Sequence, residues 1–381
     1  MGNLLKTTPA VFAVNDMYQI MVPVKAPSLM WVRVGDKEYY DDVNGVLKSD
    51  VKVHRMIVPM AELDKAKKYT ICYRKIVERK AYFSETEDVC EKEYEFCPVT
   101  GYNVTAYQVA DTHGNITAPV MAAKNFEKKY GKIDFLILNG DIIDNCDDVN
   151  NFDAVYEIAS EIAHGSMPIV CTRGNHDNRG VFAEKIVDYF PTSNGNTYYS
   201  FKLGNIWGLV LDCGEDKDDS HEEYGNTICC HSFRQRQTKY IEDIIRNSEK
   251  EYLADDVMRR IVLVHIPFTK KTKPQYDIEQ EIYTEWADML KNEIKPELMI
   301  VGHEHRLEIE YPGDDTDKHG HPCPIIVGSW VKYPNDVKDY GCTYKGVGVI
   351  MENKMAKAVF TDDAGKFYDE NDIVLQYLRA L

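Results

Sequence analysis

An α/β layered domain preceded by a small all-β sandwich is the fold class this sequence predicts, and two observations predict it. Residues 1–100 hold short β-branched or aromatic runs separated by turn material, without long amphipathic segments. From about residue 103, apolar strand-like runs alternate with segments of helical period. The expected division is a β-sandwich domain over residues 1–100 and an α/β domain over 101–381.

In the first part, Tyr18–Val24, Leu29–Val34, Val51–Val58, Tyr69–Ile76 and Val89–Phe96 are the expected strands. Turn residues part them at Gly35-Asp36-Lys37, Asp41-Asp42-Val43-Asn44-Gly45 and Asp64-Lys65-Ala66-Lys67. Leu63 followed six residues later by Tyr69 resembles the tyrosine corner of fibronectin type III sandwiches. In the second part the expected strands are Val104–Ala110, Ile133–Leu138, Pro168–Thr172, Ile206–Asp212, Ile261–Val264 and Leu298–Val301. Helical period marks Pro119–Tyr130, Val149–His164, Phe233–Glu249 and Ile278–Glu293. Short strands return at Ile325–Trp330, Gly346–Met351 and Ala356–Phe360, and Glu215–Glu223 reads as an acidic insertion.

Composition narrows the function. The formal net charge of −17, from 62 acidic against 45 basic residues, repels polyphosphate backbones and argues against a dedicated nucleic-acid binder. It leaves room for a small anionic substrate in a pocket made positive by metal ions. No apolar run approaches the roughly 20 residues a membrane helix needs. The opening MGNLLKTTPAVFAVNDMYQ lacks a signal pattern, and Lys6 stands where a myristoylation signal wants Ser or Thr, so a cytoplasmic protein without a membrane partner is expected. None of the ten cysteines forms a C-x-x-C pair, which predicts buried free thiols rather than a zinc ribbon.

The chemistry gathers where strands end. Asp111-Thr-His113-Gly114 follows the first strand of the second part, Asn139-Gly140-Asp141-Ile-Ile-Asp144 the next, and Arg173-Gly174-Asn175-His176-Asp177 the third. His265 follows Ile261–Val264, and Gly302-His303-Glu304-His305 follows Leu298–Val301. Ligand sites of α/β sheets gather at such carboxyl ends. Glycines beside these residues let the chain turn sharply and approach a ligand.

These five blocks resemble the signature of the calcineurin-like metallophosphoesterase superfamily: D-x-H, G-D-x-x-D, G-N-H-D/E, H and G-H-x-H. The resemblance covers about residues 103–362. The sandwich in front is similar to the N-terminal domain of purple acid phosphatases. The resemblance implies a four-layer α/β/β/α sandwich carrying two divalent or trivalent transition-metal ions. Asp111, His113 and His305 would hold the first, Asn175, His265 and His303 the second, and Asp141 would bridge them. Carboxylate and imidazole donors without a thiolate suit Mn, Fe, Zn or Co. A metal-bridging hydroxide would attack the phosphorus in line.

Among the catalytic candidates, His176 would stabilise the phosphoryl oxygens or protonate the leaving group. Asp177 would set its tautomer, unless it only caps a turn, and Asp144 would stand behind the ligands. Purple acid phosphatases carry a metal-bound tyrosine at the position of Asp144, so no purple charge-transfer colour is expected here. Arg173, Arg179, His221 and His231 are the candidate substrate contacts. Arg234 is expected on a solvated helix face, and His54, His319 and His321 on the surface. His164 reads as a helix end, and Glu304 as an outward spacer between two histidines. The expected function is hydrolysis of a small phosphomonoester or nucleotide-type substrate. A phosphodiesterase on the same core, or a non-catalytic binding protein, is the alternative.

Overall fold

Strands buried on both faces carry unbroken apolar runs rather than an alternation, and the centre of the molecule follows that rule. In the computed structural model, which describes residues 4–333, 336–338, 340–352 and 354–375, the strands Phe135–Asn139 and Pro168–Thr172 are buried at every position. Both belong to a large mixed sheet. Its order is Phe367–Val374, Met355–Asp362, Tyr344–Glu352, Val104–Val109, Phe135–Asn139, Pro168–Thr172, Ala10–Val14, Met17–Pro23 and Val53–Pro59. A second sheet runs Tyr199–Leu203, Ile206–Leu211, Arg259–Val264, Leu298–Val301, Ile325–Gly328 and Leu307–Glu310. Parallel pairing dominates the centre of each sheet, so the loops at the strands' carboxyl ends lie together.

Three apolar clusters hold the layers. Ala106, Ile137 and Val170 from the first sheet share one with Val210, Leu263 and Ile300 from the second. Helices Thr117–Tyr130 and Asp153–Ala163 cover the outer face of the first sheet through Phe126 and Ile158. Helices Cys230–Arg246 and Gln280–Met289 cover the second through Ile241 and Trp286. The four-layer α/β/β/α arrangement is therefore as expected.

The division at residue 100 differs in kind from the expectation. Ser28–Val34, Lys37–Tyr40, Lys68–Glu78 and Cys90–Glu95 do form a separate antiparallel sheet. Its Met30, Val32 and Ile71 pack in one cluster with Ile20, Val22, Met56 and Val58. Those last four residues, however, sit on strands of the large sheet, because Ala10–Val14 pairs in parallel with Pro168–Thr172. One layer of the small sandwich is thus an extension of the large sheet, and the hydrogen-bond ladder does not break between the two parts. Tyr69 confirms the link: its hydroxyl donates to the carbonyl of Gly165 at 2.7 Å, beyond its own sheet, so it is no corner within a closed sandwich.

His54 is fully buried rather than on the surface. Its Nδ1 lies 2.8 Å from Asp41 Oδ2 and its Nε2 3.1 Å from Ser28 Oγ, while Lys48 approaches Asp41 at 2.9 Å. Burial pushes the Asp41 carboxyl up, but His54 and Lys48 overcome it and hold it below its ordinary value. A depressed pKa adds stability above the unfolded value that is lost as pH falls through the folded one. Asp41→Asn should therefore cost about 2–3 kcal/mol at pH 7, and the deficit should narrow below about pH 4; urea melts at the two pH values test this. A chain starting at Asn103 should lose cooperative unfolding and aggregate by gel filtration, because it bares the edge of Pro168–Thr172.

Candidate metal centre

Each candidate ligand sits just past a strand end, and several hold a backbone conformation unusual for their type. Asp111, His113, Asp141, His303 and His305 all have positive φ, between 45° and 68°. Residues other than glycine adopt this region at a cost, which functional sites tolerate. Close approach explains the glycines. A Cβ on Gly174 would lie 2.1 Å from Asp141 Oδ1, and one on Gly302 would lie 2.9 Å from Asp111 Oδ2.

The candidate donors converge in groups. Asp111, His113 and His305 place one ligand atom each within 4.8 Å of one another, and so do Asp141, His265 and His303. Asn175 Oδ1 lies 2.9 Å from His303 Nδ1. Asp141 also groups with His113 and His176, so it stands between the two sets. Asp111 is held by the backbone N–H of His303 and by the Ser329 hydroxyl.

His265 tests whether these residues fit a cation. Its Nδ1–H donates to the Asn139 carbonyl at 2.7 Å, which leaves the Nε2 lone pair facing Asp141 Oδ2 at 3.2 Å and Asp111 Oδ1 at 3.7 Å. Buried Nε2 has no hydrogen-bond partner. A lone pair aimed at two buried carboxylates is repulsive unless a positive charge lies between them. Accordingly, although burial disfavours charge on His265, Asp141 and Asp111 hold its pKa up to about 10. A metal ion satisfies the same demand, and the residues fit it.

The catalytic candidates fare differently. His176 flanks the centre, its backbone N–H donating to Asp141 Oδ1 at 2.8 Å. Asp177 does not touch its ring. The Asp177 carboxylate instead accepts from the backbone N–H of Gly174, Asp141 and Ile143 at 2.8, 3.1 and 3.4 Å, so it shapes the turn. Burial and the neighbouring Asp141 push it up to about 7. The ring of His176 is oriented by Asp144, whose backbone carbonyl accepts from Nδ1 at 2.9 Å. The Asp144 carboxylate also lies 3.3 Å from His113 Nδ1.

Of the four substrate candidates, only Arg179 lines the adjoining cavity of about 640 Å³. It donates bidentately to Glu215 at 3.0 and 2.8 Å and turns Nη1 to His176 Nε2 at 3.2 Å. Arg173 is spent on buried Asp212 at 2.7 Å and stacks over Phe233. His221 caps a short turn through Glu223, and exposed His231 pairs with Glu279 at 3.0 Å; neither lines the cavity. Arg234 is buried, donating to the carbonyls of Cys213 and Glu215, because it ties down the start of the acidic segment. His321 is likewise buried, 2.8 Å from Thr269 Oγ1, while His319 and half-buried Glu304 line the cavity.

Some residues at the site escaped the motif reading. Tyr333 stacks on His305 with ring centroids 5.3 Å apart. Burial and Asp111 push its hydroxyl up to about 12. Glu215 and Asp216 form a wall rather than a solvated insertion, with Asp216 Oδ2 3.9 Å from His303 Nε2. The only clue to these was their position after a strand end, shared with many loop residues.

A carboxylate–imidazole centre at the joined strand ends of an α/β/β/α sandwich defines a metal-centred class of protein. Residues 104–307 match the model of the calcineurin-like phosphoesterases, and the chain belongs to that family. It is 26% identical over 102 residues to serine/threonine-protein phosphatase CPPED1 of Pongo abelii, a match covering 27% of this chain and 29% of that protein. The chain thus spans less than a third of this curated relative. Purple acid phosphatase PPD1 from yellow lupin (Lupinus luteus) seeds shares the fold at a TM-score of 0.61 and 12% identity, over 97% of this chain and 74% of the other.

Gly174→Ala should lower metal content sharply in elemental analysis while leaving the circular dichroism spectrum native, since the nearest atoms its methyl group would meet are Oδ1, N and Cγ of Asp141.

Proposed function

We propose that the chain is a metal-dependent phosphoesterase acting on small phosphomonoesters or nucleotide-type substrates through a dinuclear centre. The observation that carries this reading is the place of Asp141, common to the ligand group around His265 and to that around His113. Asp111, His113 and His305 would hold one ion and Asn175, His265 and His303 the other, with Asp141 available to both. Mn, Fe or Zn suits this donor set. The ions supply Lewis-acid polarisation of the phosphoryl group and activation of the attacking water.

The chain's own residues do the rest. His176 keeps Nδ1 bonded to the Asp144 carbonyl, so Nε2 is the atom that can exchange a proton with a leaving group in the cavity. Glu215 grips Nε and Nη2 of Arg179, fixing the guanidinium so that Nη1 faces the same space. Together the two residues meet the phosphoryl and leaving-group oxygens. Tyr333 walls the side of His305 and limits access of water there.

The protein loaded with Mn²⁺ should hydrolyse p-nitrophenyl phosphate faster than its bis ester. Faster turnover of the bis ester would make it a diesterase, and no turnover of either, with no metal by elemental analysis, would overturn the enzyme reading. His176→Ala should keep both ions and lose about 100-fold in kcat on an alkyl phosphate. The loss should be smaller on p-nitrophenyl phosphate, whose leaving group departs without a proton.

A further inference from the structure

Beside the metal ligands, the cavity is walled by the loop that follows His265, Ile266-Pro-Phe-Thr-Lys270-Lys271-Thr-Lys273. Lys270 is buried and approaches Glu310, Glu308 and Glu304 at 2.6, 3.2 and 3.8 Å, so its charge is consumed and it anchors the loop. The backbone is pinned as well: Lys271 N–H donates to the Thr316 carbonyl at 2.7 Å, and Lys318 N–H to that of Thr269 at 3.0 Å. The next lysines are presented from this fixed loop into solvent.

Their charge is not cancelled. Lys271 donates to a backbone carbonyl, that of Asp315, and Lys273 has no carboxylate partner among the described residues. Arg306, on the same cavity and directly after His305, pairs at 3.8 Å with half-buried Glu308, which Lys270 also holds at 3.2 Å. The carboxylates of the wall have other cationic partners: Asp216 shares Lys217 with Glu223, Glu304 shares Lys270 with Glu308 and Glu310, and Asp277 pairs with Lys318. In a chain of net charge −17, three cations side by side on one cavity wall, two of them without a carboxylate partner among the described residues, stand out as a local concentration of positive charge.

We infer that Lys271, Lys273 and Arg306 form a second anion subsite, and that the substrate is a small molecule carrying a second phosphate apart from the one hydrolysed. This rests on the phosphoesterase reading above. The test compares the Mn²⁺-loaded protein with its Lys271→Ala/Lys273→Ala/Arg306→Ala variant on fructose 1,6-bisphosphate and fructose 6-phosphate. Wild type should favour the bisphosphate in kcat/KM, and the triple variant should lower that preference about tenfold. Calorimetric binding of 1,3-propylenediphosphonate against propylphosphonate should show the same selective loss. If neither ester is hydrolysed, the phosphoesterase reading fails by itself, and the calorimetric comparison alone decides the subsite. Equal preference in both proteins, by rate or by binding, would overturn it. Faster turnover of an acidic phosphopeptide than of the bisphosphate would overturn the small-molecule assignment.

Discussion

Two sheets supply ligands to one centre, so their relative position must be held to within the length of a hydrogen bond. Asn139 and Gln108, buried directly beneath the centre, do this. Asn139 Nδ2 lies 2.8 Å from Gln108 Oε1 in its own sheet, and 3.4 and 3.1 Å from the Val264 and Ile300 carbonyls of the facing one. Gln108 Nε2 donates across to Val301 at 3.0 Å and to Gly328. Two of the carbonyls so engaged, those of Val264 and Val301, immediately precede His265 and the Gly302–His305 turn. The Asn139 carbonyl then fixes the tautomer of His265. An amide pair in an apolar interface is costly unless every group is satisfied, and here satisfaction requires both sheets to be in register.

Above this cross-link the chain accepts strain to aim its donors. Left-handed backbone at Asp111, His113, Asp141, His303 and His305 turns each side chain back over the strand ends. Hydrogen bonds from neighbouring turns compensate: Asp141 N–H is held by Asp177, and His303 N–H by Asp111. The ligands therefore brace one another, and the carboxylate of Asp177 serves the backbone rather than the ring beside it.

Much of this was legible in the sequence. Unbroken apolar runs located Pro168–Thr172 and Leu298–Val301 to the residue, because strands buried on both faces have no polar alternation to blur. The candidate ligands stood out in the sequence because glycine-flanked Asp, Asn and His at strand ends have few other uses. What stayed hidden was set by distant partners. Ala10–Val14 looks like any short apolar run, and nothing local says that its neighbour is Pro168–Thr172. Arg234, His54 and His321 are charged or polar types whose burial depends on Glu279, Asp41 and Thr269. The role expected of Asp177 went instead to the backbone carbonyl of Asp144, and a carbonyl leaves no mark in a sequence.

The pairing of Val11 with Pro168 also sets an order of events during synthesis. Ala10–Val14 and Met17–Pro23 leave the ribosome well before Pro168–Thr172, beside which Ala10–Val14 finally lies. Until Pro168–Thr172 emerges, Ala10–Val14 and Met17–Pro23 can form only their own hairpin and its ladder with Val53–Pro59, which leaves the other, apolar edge of Ala10–Val14 open to other chains. These strands are thus made well before their sheet can be completed. A growing chain of this protein depends for that interval on whatever shields the hairpin, and slow translation before residue 172 would prolong its exposure to aggregation.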